Sequence, residues 1–152
     1  MTGGLIQLVT TGIQDVPISS NPEITLEANP DDLSSIKVKE LSNSFINRLS
    51  IGIQSFHETD LVAMNRAHSA YQAKKCLDLA TRYFDNITID LMFGMPTMSM
   101  DLWRENLHIA FGFGIKHIAF CDSPHASAVM RLTLPLIQKL LIPSVIPKKE
   151  FS

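Results

Sequence analysis

The chain has 152 residues, room for one domain with a real core and not for two. Hydrophobic residues make up 45% and charged residues 18%, an ordinary soluble balance, and a formal net charge of −2 supplies no basic footprint for nucleic acid. No apolar run approaches the length of a membrane span, and Met1-Thr2-Gly3-Gly4 lacks the charged start of a secretory signal, so the expected compartment is the cytoplasm.

Four short runs read as strands in chain order, each alternating aliphatic with smaller or polar residues. They are Glu23-Ile-Thr-Leu-Glu27, Arg48-Leu-Ser-Ile-Gly-Ile-Gln-Ser-Phe56, Asn86-Ile-Thr-Ile-Asp-Leu-Met-Phe93 and the weaker His117-Ile-Ala-Phe-Cys121. Helical segments fill the gaps. One covers Ile36 to Ser44, with Ser34 or Ser35 as its cap. Ser69-Ala-Tyr-Gln72 is a capping box that opens a second, reaching about Tyr83, with Ala73, Leu77 and Ala80 on one stripe. A third runs from Met100 to about Ala110 behind Ser99, before the Gly112-Phe-Gly114 stop. Every gap between strands is long and helical, and parallel neighbours require such crossovers. The pattern therefore predicts an α/β chain of parallel strands near 23–28, 48–55, 86–93 and 117–121.

The faces of these strands are unequal. Leu49, Ile51 and Ile53 oppose Ser50, Gly52 and Gln54; Ile87, Ile89 and Leu91 oppose Thr88, Asp90 and Met92; Ile24, Leu26 and Ala28 oppose Thr25, Glu27 and Asn29. A sheet covered by helices on both sides would be apolar on both. One oily and one polar face instead suit a barrel with a ligand-holding lumen. Glu27, Gln54 and Asp90 fall at or near the C-terminal ends of their runs, where β/α barrels gather ligand-handling side chains. By spacing alone they read more readily as solvated residues beside turns, since strand ends are often polar.

The remaining chemistry is sparse. Cys76 and Cys121 are too far apart in sequence for a metal knuckle and read as free, largely buried thiols. Pro124 works against a helical pairing of Cys121 with His125, and no further ligand stands near. Met92, Met95, Met98 and Met100 around Pro96 read as gap fillers, and Lys74-Lys75 as solvated surface. No catalytic or metal-ligating set emerges.

Four ordered blocks carry a resemblance: Glu23-Ile-Thr-Leu-Glu-Ala-Asn-Pro30, Asn47-Arg-Leu-Ser-Ile-Gly-Ile-Gln-Ser-Phe56, Asn65-Arg-Ala-His-Ser69 and Ile89-Asp-Leu-Met-Phe-Gly-Met-Pro96. Together, over residues 21–118, they resemble the oxygen-independent coproporphyrinogen oxidase and haem-chaperone group of radical S-adenosylmethionine (SAM) proteins. The resemblance implies about four β/α units of a six-stranded, three-quarter barrel, in one partial core domain spanning 1–152. It also implies that Glu27, Gln54, Arg66 and Asp90 contact SAM beside a [4Fe–4S] cluster, with haem or porphyrin as a further ligand. Within the group the chaperone is the nearer likeness. The family's Cys-x3-Cys-x-aromatic-Cys loop and glycine-rich second strand have no counterpart here. Residues 1–22 resemble the tail of the helix before the third strand, and 119–152 diverge. The chain is thus expected to be a fragment, with an open sheet edge that pairs with itself or with a partner supplying strands. The alternative expectation is a non-catalytic remnant or interaction module.

Overall fold

The computed structural model describes residues 19–122 and 129–133, with side chains through residue 120. Among the described residues five strands form one sheet in the order β1 (Thr25–Ala28), β2 (Arg48–Gln54), β3 (Ile87–Phe93), β4 (His117–Asp122) and β5 (Val129–Thr133). The first four pair in parallel, as the long helical gaps predict. The helices are α1 (Ser35–Ser42), α2 (Glu58–Ala63), α3 (Ala70–Ala80) and α4 (Met100–Gly112), and a 3-10 turn covers Pro30–Asp32.

Local sequence sets the helix starts. Ser34, Ser69 and Ser99 each accept a hydrogen bond from the amide three residues on, at 3.3, 3.2 and 3.2 Å. Each such cap contributes about 1 kcal/mol. The predicted capping box is complete, because the Gln72 side chain also accepts from the Ser69 amide at 2.7 Å. α4 is stopped at Gly114, whose φ of +72° suits a residue without Cβ.

The aliphatic strand face is the helix-covered one. Leu49, Ile51, Ile53, Ile87, Ile89 and Leu91 pack with Ala73, Leu77 and Ala80 of α3 and Leu107 and Ala110 of α4 in one buried core. Trp103 of α4 meets Phe93 and Phe120 edge-on, with ring centroids 5.0 and 5.7 Å apart. Those contacts fix α4 over β3 and β4. Cys76 is a buried free thiol, Met95 is buried, and Lys74 and Lys75 are exposed.

Three features depart from the sequence pattern. The helix α2 and the Pro30–Asp32 turn arise where only loop is expected, since both are too short to show a period. β5 is an additional strand, antiparallel to β4. It is an exception to the all-parallel expectation, permitted because only residues 123–128 separate the two strands, far fewer than a crossover needs. Asp90 lies at the middle of β3, not at its end, because β3 runs on through Leu91 to Phe93. The Cys121–His125 pair and the apolar stretch beyond Thr133 lie outside the described side chains.

Candidate functional site

Opposite the helices, the polar strand face is laid out in rows by the register. Thr25 stands beside Arg48, Glu27 beside Ser50, Ser50 beside Thr88 and Asp90 beside Ala119. The lowest row is closed by Arg48. Its guanidinium donates to Glu23 Oε1 at 3.1 Å, Thr25 Oγ1 at 3.3 Å and Thr88 Oγ1 at 2.6 Å. Asn86 donates to the other Glu23 oxygen at 2.9 Å. This fan of bonds ties the starts of three strands together and forms a floor.

Above the floor a cleft of about 270 Å3 opens, lined by Glu27, Asn29, Asp32, Ser50, Gly52, Gln54, Arg66 and Asp90 among others. All four residues singled out from the sequence thus share one concavity, although Arg66 belongs to no strand. It arrives from the segment after α2, which turns back through Asn65 at φ +52° and is held by the Arg66 amide bonding to the Leu61 carbonyl at 2.9 Å. Its Nη2 then donates to Asn29 Oδ1 at 2.6 Å and the Gly52 carbonyl at 3.3 Å.

Gly52 is what lets these groups meet. A Cβ there would stand 3.1 Å from Gln54 Nε2, and 3.3 Å from both Arg66 Nη2 and Asn29 Oδ1. The glycine therefore leaves room for an amide and a guanidinium to lie over the strand backbone. Asn29, Asp32 and Gly52 belong to the cleft although the sequence reading does not single them out as ligand-handling residues. A signal was available for two of them, since Asn29 continues the polar alternation of Glu27 and Gly52 that of Ser50 and Gln54, whereas Asp32 sits in the Pro30–Asp32 turn with no pattern to mark it.

A buried polar network supports the end of β2. Ser55, Asp60 and Asn106 are all fully buried. The Ser55 hydroxyl donates to Asp60 Oδ2 at 2.8 Å, and Thr97 Oγ1 donates to Asp60 Oδ1 at 2.6 Å. Asn106 accepts from the Phe56 amide at 2.7 Å and donates to Ser55 Oγ at 3.2 Å. Buried polar groups so satisfied rigidify what they join. Here they join β2, α2, the loop before α4, and α4 itself. Of these side chains only Ser55 falls in a block singled out from the sequence; Asp60, Thr97 and Asn106 carry no periodic or motif signal.

A larger hollow of about 480 Å3 lies between the Pro30–Asp32 turn, the start of α1 and α3, with Cys76 in its lining. It shares no residue with the polar cleft. Burial, and secondarily the negative Asp31, push the Cys76 thiol up to about 12, so it stays protonated and weakly nucleophilic there. No group of three or more potential metal ligands occurs among the described residues, and no helix among them is long and apolar enough to cross a membrane.

The chain is 32% identical over 116 residues to the heme chaperone HemW of Lactococcus lactis, covering 76% of this chain and 31% of that protein. It is 37% identical over 95 residues to the mitochondrial radical S-adenosyl methionine domain-containing protein 1 of Bos taurus, covering 62% of this chain and 22% of that one. It thus spans less than a third of these relatives. Among solved structures, coproporphyrinogen III oxidase (HemN) from Escherichia coli superposes with a TM-score of 0.69 at 21% identity, over 82% of this chain and 28% of that one. That likeness concerns the fold. Residues 5–109 match the family profile described as the Radical SAM superfamily. With that match covering most of the chain, and a parallel β/α sheet to carry it, this chain belongs to the radical SAM superfamily.

Proposed function

We propose that the polar cleft binds S-adenosylmethionine, and that the chain is part of a cytoplasmic radical SAM protein handling haem or porphyrin. The observation that carries the reading is the convergence of Glu27, Gln54, Arg66 and Asp90 on one concavity. The ligand's groups and the residue types correspond. SAM presents a carboxylate, an ammonium, ribose hydroxyls and a sulfonium. The Arg66 guanidinium offers several N–H donors in a plane that fits a carboxylate. Glu27 and Asp90 accept from the ammonium or the hydroxyls and offset positive charge, while Gln54 both donates and accepts. The names of relatives such as the heme chaperone HemW support the haem or porphyrin class.

A cluster of the family's kind does not fit this chain alone. It requires several thiolates brought together, and the chain contains two cysteines, of which Cys76 is buried and held protonated. The residues here contribute binding and orientation of the ligand. Residues 1–152 then act as one partial core domain rather than as an independent catalyst.

A second reading, an interaction module, is favoured by one observation. Among the described residues β1 pairs only with β2, leaving one side of Thr25–Ala28 as a sheet edge, and such edges are templates for pairing.

Calorimetry with SAM on the purified chain tests the first reading. Wild type should bind, and Arg66→Ala should weaken binding by roughly 1.5–3 kcal/mol, the cost of losing a charge-assisted partner. SAM binding that Arg66→Ala leaves unchanged would place the ligand elsewhere.

A further inference from the structure

β2 ends in a strained residue. Gln54 takes a φ of +66°, in the left-handed region that a side chain occupies only at a cost. The Ser55 amide donates to the Ile53 carbonyl at 2.8 Å, so the chain closes a tight three-residue turn with Gln54 at its apex. The ladder to β3 shifts at the same place: Ile51 faces Ile89, but Gln54, three residues on, faces Leu91, only two residues on. A conformation of this kind persists only when its surroundings hold it.

Two side chains from one short segment reach this turn. Arg66 donates to the Gly52 carbonyl at 3.3 Å, and His68 Nε2 stands 3.1 Å from the next carbonyl, that of Ile53. A carbonyl can only accept, so Nε2 carries the proton. His68 is 2% exposed, and its Nδ1 has no hydrogen-bond partner, the Asp31 carboxylate lying 3.9 Å away. A buried imidazole that leaves one nitrogen unpaired is committed, through the other, to a single carbonyl.

We propose that His68 is a positioning residue of the cleft: its Nε2–H clamps the Ile53 carbonyl and fixes the strained turn that lays the Gln54 side chain over Gly52 beside Arg66. Segment 66–68 thus does two jobs on adjacent carbonyls, one residue lining the cleft and the other setting its wall. The ligand-binding arm of the test rests on the SAM reading; the backbone arm does not.

The test uses the full chain with His68→Gln and His68→Asn. A glutamine amide nitrogen reaches the place of imidazole Nε2, whereas an asparagine amide reaches only that of Nδ1. By amide hydrogen exchange, His68→Asn should accelerate Ser55 by about fivefold or more, the equivalent of one net hydrogen bond, while His68→Gln should stay near wild type. Calorimetry with S-adenosylhomocysteine should show the same order, and the His68→Asn loss should vanish in a Gln54→Ala background. Should His68→Asn fail to fold, it is made in a Gln54→Gly background, where glycine adopts the positive φ without a clamp, and there it should fold. Equal Ser55 exchange in the two His68 variants, or failure of the glycine background to rescue, overturns the proposal. Wild type that binds no S-adenosylhomocysteine but shows the exchange pattern overturns the ligand reading and supports the clamp. Binding with indistinguishable Gln and Asn variants does the reverse.

Discussion

Replacing Asn106 by alanine isolates the network beneath the end of β2. Asn106 is fully buried on α4, and its Oδ1 is the 2.7 Å acceptor of the Phe56 amide. Alanine leaves that N–H without its acceptor in a site sealed from water, which costs about 1–3 kcal/mol. It also removes the 3.2 Å bond to Ser55 Oγ, worth about 1 kcal/mol. A small relief comes from no longer burying an amide, so the expected loss is about 2–4 kcal/mol, a large share of a typical stability of roughly 5–15 kcal/mol. Urea unfolding followed by circular dichroism reads this directly. With a slope of about 2 kcal/mol/M, the midpoint should fall by about 1–2 M at unchanged slope. Asn106→Asp should be no better, since it keeps an acceptor for Phe56 but loses the donor to Ser55 and places a second carboxylate in the group that holds Asp60. His108→Ala, on an exposed position of the same helix, should shift stability by about 0.5 kcal/mol or less. A loss under about 1 kcal/mol for Asn106→Ala would refute the reasoning, because water would then be satisfying Phe56 and the network would not be closed.

Gly52→Ala should keep the fold within about 1 kcal/mol, since alanine suits a strand better than glycine does. It should nonetheless weaken SAM binding, because its Cβ crowds the Gln54, Arg66 and Asn29 tips; paired urea and calorimetric titrations check this, and unchanged affinity would count against the packing argument. Cys76 gives a pH signature. Its thiol is raised from 9.0 to about 12 in the folded chain, so the unfolded state ionises first. The stability it allows is fully present below pH 9 and falls on the way to pH 12, by roughly 1 kcal/mol per pH unit. Urea midpoints at pH 8 and pH 10 should therefore diverge more for wild type than for Cys76→Ala, and parallel shifts would remove the thiol from the account. The exposed side of β1 should promote association, which light scattering at tens of micromolar would register as species larger than the 16.9 kDa chain. A stable monomer would mean that the edge is covered.

Period-2 alternation determined the four parallel strands and their apolar face, and serine caps determined where three helices begin, because these signals depend only on neighbours in sequence. Glu27, Gln54 and Asp90 could be placed on the polar face by parity alone. Arg66 could not, since it reaches the cleft from a loop; its block in the family resemblance was the only sign of it. What the tertiary structure alone decided is how these residues meet. The Gln54 turn, the clamp from His68 and the Asp60–Ser55–Asn106 network join residues up to 51 positions apart. No local propensity encodes such bonds, because a buried donor finds its acceptor only after the helices have packed on the sheet. β5 belongs with them: its pairing depends on the free edge of β4 as much as on its own five residues.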